Sequence, residues 1–127
     1  MNYAKRLVAL AALLATHVCA PAQASDYEVG KSLVCDTQGQ VERFVDLFTG
    51  DASAAIRVVN AEAHNPSACA IANVAYMRGG SIGMARHGDN AFEIVHILVI
   101  GIATEGGVRP ISPGAYFTLF SVKEYAI

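Results

Sequence analysis

Thiol chemistry comes first, because cysteines are scarce in this chain and their spacing is informative. Of the three, Cys19 falls inside an N-terminal apolar segment, which leaves Cys35 and Cys69. A redox dithiol places two residues between its cysteines. A zinc site places its ligands in close pairs. Neither pattern is present. In an oxidising compartment two remaining thiols have one intramolecular pairing open to them. We therefore expect a Cys35–Cys69 disulfide, with a loop-closure stabilisation of ~3.5–4 kcal/mol for a separation of this size. Cys35 is read as a clamp and not as a reagent.

Other residue types able to do chemistry are dispersed. Gly79-Gly80-Ser81-Ile82-Gly83 matches G-x-S-x-G, but that motif needs a strand before the serine and a helix after it. The flanks here read as strands, so the segment is taken as a glycine-rich turn. His64, His87 and His96 are too far apart to form a helical metal pair. His96 lies in the middle of an apolar strand and is expected to be half-buried. It is also the one position where an acid–base site could be centred, with Glu93 or Glu105 as partner. Arg78, Arg86 and Arg109 lie at strand ends or in loops and offer planar donors to an anion. Tyr76, Tyr116 and Tyr125 suit either a core rim or a recognition face. From these we take Tyr76, Arg78, Arg86 and His96 as candidate ligand contacts, and no catalytic residue, metal site or cofactor.

The elements that position these residues follow from periodicity. Thr37 and Gln40 have capping-box spacing. Val41, Phe44, Val45 and Phe48 then recur at helical intervals, and Gly50 is a stop. Asp51 caps a second helix with Ala55, Ile56, Val59 and Ala63 inward, ended by Asn65-Pro66. Residues 38–64 thus read as a helical hairpin. Beyond Cys69 the pattern changes. CAIANVAYMR, SIGMARH, AFEIVHILVIGIAT and AYFTLFSVKEY read as strands, with turns at 79–80, 88–90 and 105–107. Gly101 marks a bend in the longest of them. VRPISPGA reads as a loop or irregular edge because of its two prolines. The expected order is one strand, a helical hairpin, then four or five antiparallel strands. The class is α+β, with the strand and hairpin packed on a bent antiparallel sheet and an SH3-like open barrel as one form of it.

Lys5 and Arg6, the apolar stretch Leu7–Ala20 and the small residues Ala22 and Ala24 have the order of a secretory signal peptide. Cleavage near Ala24 would leave residues 25–127 as a single disulfide-stapled domain in the periplasm or outside the cell. That part has no apolar stretch suited to a membrane-spanning helix. Of the nine basic residues two lie in the leader, so seven face eleven acidic ones, a net charge of −4. No basic block marks a nucleic-acid partner.

The segments VCDTQGQVERFVDLF, NPSACAIANVAY and FEIVHILVIGIATEGG resemble small, uncharacterised exported proteins of Gram-negative bacteria. The resemblance implies export and one compact domain, and transfers no site residue. The leading expectation is a non-enzymatic binding or interaction module for a protein or envelope ligand. A small hydrolase or other enzyme centred near His96 is the alternative.

Overall fold

The computed structural model describes residues 26–122, so the leader, its cleavage site and Tyr125 lie outside the described residues. The chain runs β1 (Glu28–Cys35), α1 (Gln38–Leu47), α2 (Ala52–Glu62), β2 (Cys69–His87), β3 (Asn90–Thr104) and β4 (Gly107–Val122). The fold is mixed α+β, with every strand pairing antiparallel.

Local signals set the helices. The Thr37 hydroxyl accepts from the Gln40 backbone N–H at 3.2 Å, and Gln40 Oε1 accepts from the Thr37 N–H at 3.0 Å. This is a reciprocal capping box that satisfies two donors otherwise orphaned at a helix start. Asp51 Oδ1 accepts from the Ala54 N–H and caps α2 with a single bond, without the reciprocal partner. The α1–α2 connection passes through Gly50 at φ +110°, a conformation that disfavours a side chain. Val41, Phe44 and Val45 of α1 and Ala55 and Val59 of α2 are buried. An Arg43–Glu62 ion pair at 2.9 Å bridges the two helices on their exposed side.

The sheet has fewer and longer strands than the sequence pattern suggests. Three strands follow the hairpin, not four or five. Gly79-Gly80 is not a turn but part of β2, which runs 19 residues. Arg78 pairs with Ile97 and Ser81 with Val95, so Gly79 and Gly80 together oppose His96. That is a bulge, which bends and twists a strand without ending it. The missing side chain is required: a Cβ on Gly79 would lie 2.6 Å from the His96 carbonyl oxygen. The proline-rich stretch is likewise held within β4, between the pairs Gly101↔Pro110 and Val99↔Gly114. Ile111, Ser112 and Pro113 have no ladder partner there, so the irregular edge survives as an interruption inside a strand. Gly101 lies at that register shift, as its position in the sequence suggests.

β1 pairs with β2 in unbroken register from Glu28↔Tyr76 to Cys35↔Cys69. The two cysteines are thus direct cross-strand neighbours, and the disulfide forms between them with their Cα atoms 4.1 Å apart. Both are buried. The helical hairpin is the loop that this bond closes.

Strand alternation divides the apolar residues into two sets. One set faces the helices: Leu33, Cys35, Cys69 and Ile94 pack with Val41, Phe44, Val45, Ala55 and Val59. The other lies on the opposite face of the sheet: Val74, Tyr76, Val95, Ile97 and Val99, flanked by Tyr116 and Phe120. Apolar residues on both faces of β3 follow from this double packing. Around the curve β4 returns to β1, and the two meet at one pair, Cys35↔Phe117.

Candidate functional site

Beyond Cys35↔Phe117 the two strands diverge. No described residue pairs with β1 from Glu28 to Val34 on the side away from β2, nor with β4 from Thr118 to Val122 on the side away from β3. The gap is a cleft of about 540 Å³, within the range of small-ligand sites. Gly30–Leu33 of β1 form one lip and Leu119, Phe120 and Ser121 of β4 the other. Phe44 of α1 and Phe48, the residue that caps its C-terminal end, have ring centroids 5.5 Å apart and stand on the helix side with Phe92. Tyr76 and Phe120, of the second cluster, reach it from the face away from the helices. Among the described lining residues Lys31 is the one with a charge, and no ion pair engages it.

A polar cluster borders the inner wall. Arg78 donates from Nε and Nη2 to Oε2 of Glu28, at 3.2 and 3.0 Å. Its guanidinium also lies 3.7 Å from the centroid of the Phe120 ring, a cation–π contact. Arg78, and then Tyr76, hold the Glu28 carboxyl below the ordinary carboxylate range by hydrogen bonding. Burial, and then the neighbouring Glu28, push the Tyr76 phenol above its ordinary value, while Ser32 works the other way. Burial opposes the Arg78 charge, but the bond to Glu28 outweighs it and the pKa is raised. The cluster is internally satisfied, so its part is to fix Tyr76 and Phe120 beside the cleft.

Of the four candidate contacts, the structure brings Tyr76 and Arg78 together and leaves Arg86 and His96 apart. Arg86 pairs with Ala91 beside the 88–89 turn at the far end of β2. Arg109 pairs with Ile102 on another strand, so the three arginines do not converge. His96 is exposed and not half-buried, and it rests against Phe117 with ring centroids 5.3 Å apart. It opposes the Gly79-Gly80 bulge, which provides no side chain to cover it. Glu93 and His96 lie three residues apart on an evenly paired stretch of β3, so alternation sends them to opposite faces. Glu105 lies beyond the end of β3. No acid–base pair is assembled at His96. Ser81 of G-x-S-x-G stands inside β2, with strand on both sides. Among the described residues no group of His, Cys, Asp and Glu is placed to hold a metal ion, and no helix is long and apolar enough to cross a membrane.

Sequence reasoning missed the cleft itself and also Asn60. The Asn60 amide donates to the carbonyls of Pro66 (2.9 Å) and Cys69 (3.0 Å), and Oδ1 accepts from the Cys69 N–H at 2.8 Å. The main chain of Cys69 therefore turns to α2 while its sulfur turns to Cys35. The one signal available was a polar residue on an otherwise apolar helix face.

Comparison with family models, with curated proteins and with solved structures finds no match to this chain.

Proposed function

We propose that the chain is an exported, non-enzymatic binding module that holds an apolar ligand in the cleft between β1 and β4. The observation that carries this reading is the pair of apolar walls left standing where β1 and β4 part after their single pair. Phe48, Phe92, Leu119 and Phe120 are only partly buried there, although each packs against a core cluster. Aromatic side chains of this kind gain most from a ligand that removes their remaining surface from water. Export is supported by the charged, apolar and small-residue order of residues 1–24 and by a disulfide, which persists in oxidising compartments. We also read the curled sheet as an SH3-like open barrel with the hairpin set between its first two strands.

Titration with anilinonaphthalene sulfonate, followed by amide NMR, tests the cleft. Shifts should concentrate at residues 30–33, Phe48, Phe92 and 119–121. Phe48→Glu should abolish binding while circular dichroism stays unchanged. Absence of binding, or shifts confined to another surface, overturns the site. The intact mass of the exported protein, measured unreduced, tests cleavage near Ala24.

A further inference from the structure

We propose that the occupant of the cleft is an extended peptide, added as a strand to the free edge of β1 and carrying an acidic side chain opposite Lys31. This rests on the binding reading above and names the ligand class.

The main-chain geometry leads to it. In an antiparallel ladder, residues alternate between pairs that exchange hydrogen bonds and pairs whose N–H and C=O groups point away. Cys69 gives its N–H and C=O to Asn60, so Cys35↔Cys69 is a pair of the second kind. Counting back along the unbroken register, Leu33↔Ile71, Lys31↔Asn73 and Val29↔Ala75 are also of the second kind. Val29, Lys31 and Leu33 therefore direct main-chain donors and acceptors toward the cleft, where β1 has no ladder partner among the described residues. A small apolar molecule would cover the aromatic walls and leave these groups unmet. An extended chain satisfies both, which is the physical basis of strand addition. Its alternate side chains would meet Phe48 and Leu119 on one side and Tyr76 and Phe120 on the other. Above the sheet face at Gly30 no heavy atom lies within 4 Å of where a Cβ would stand, so that face of the β1 lip is uncrowded.

Charge selects among extended chains. An edge strand carrying lysine resists pairing with a copy of itself. Two β1 strands paired antiparallel about their centres would bring Lys31 near its counterpart, and like charges directly opposite are unfavourable. An acidic residue at that place is favourable instead. The geometry thus points away from self-association and toward an acidic, apolar strand.

The probe is a fluorescein-labelled heptapeptide, TVIEVTV, measured by fluorescence anisotropy against the unreduced protein. Replacing its isoleucine, the third residue, by proline removes a main-chain donor and bends the strand, and should weaken binding about tenfold or more. A glutamate-to-lysine peptide should bind about threefold more weakly, because it sets a like charge opposite Lys31. Lys31→Glu, at an exposed position, should reverse that preference. Equal affinity for the proline peptide overturns strand addition while leaving an apolar cleft in place. Binding of anilinonaphthalene sulfonate with no peptide binding does the same. Loss of both overturns the cleft as well. An unreversed preference in Lys31→Glu overturns the role of Lys31, and a concentration-dependent dimer in sedimentation would show that β1 pairs with its own copy.

Discussion

Removing the Cys35–Cys69 crosslink has a cost that follows from the topology. The bond joins residues 34 apart in sequence. Restricting a chain of that length in the unfolded state is worth about 3.8 kcal/mol in the loop-entropy account. Domains of this size are commonly stable by only about 5–15 kcal/mol. Cys35→Ala, Cys69→Ala and the double variant should therefore each lose about 4 kcal/mol. They should agree within about 1 kcal/mol, because any one of them breaks the same link, and the buried sulfurs add only small packing losses. Without tryptophan in the chain, urea unfolding is best followed by far-ultraviolet circular dichroism. The variants should also unfold with a steeper denaturant dependence, since their unfolded chains expose more surface. A loss below about 1 kcal/mol would refute the argument. So would a double variant far worse than either single one, which would mean that packing and not chain restriction carries the effect.

Four further outcomes are expected. Asn60→Ala should destabilise by about 2–4 kcal/mol, because it leaves the main chain of Cys69 unpartnered, whereas Asn60→Asp keeps one of the three bonds and should fall between; chemical denaturation ranks the three. Gly79→Ala and Gly101→Ala should each cost about 1–3 kcal/mol in melting experiments, since a Cβ would meet the His96 carbonyl oxygen at 2.6 Å or Val108 Cγ1 at 2.5 Å, while Gly30→Ala should be tolerated. Thr118 is buried and its hydroxyl has no partner among the described residues, so Thr118→Val should raise stability by about 1 kcal/mol in the same assay. Stability should fall at both ends of a pH series. The lowered pKa of Glu28 contributes above its unfolded value of about 4.3 and is lost as pH drops through the folded value; the raised pKa of Tyr76 contributes below about 10 and is lost as pH climbs through its folded value. Glu28→Gln should flatten the acid limb and Tyr76→Phe the alkaline one.

Features set by near neighbours in the chain could be read directly. The capping box of Thr37 and Gln40, the Asp51 cap and the turn at 88–89 each depend on residues within a few positions. The disulfide was legible because two thiols leave one choice. Strand continuity was not. Whether Gly79-Gly80 turns or bulges depends on β3 lying alongside, and whether Pro110 sits in a strand depends on its place beside Gly101. The cleft was hidden for a similar reason: it arises where β1 and β4, at opposite ends of the chain, part company after a single pair. The exposure of His96 depends on two glycines from another strand lying opposite it.

The register of β1 on β2 also bears on how the chain reaches this fold. β2, β3 and β4 are joined by two-residue turns at 88–89 and 105–106, so their pairing needs only short excursions. β1 must instead reach across the whole helical hairpin, and closing that larger loop is the slower, more entropically demanding step. Late docking of an edge strand invites misalignment, and a slip of one residue would turn every β1 side chain to the wrong face. Cys35 would then point away from Cys69, and no bond could form between them. Oxidation therefore works as a proofreading step: it covalently fixes only those molecules in which β1 has found its place.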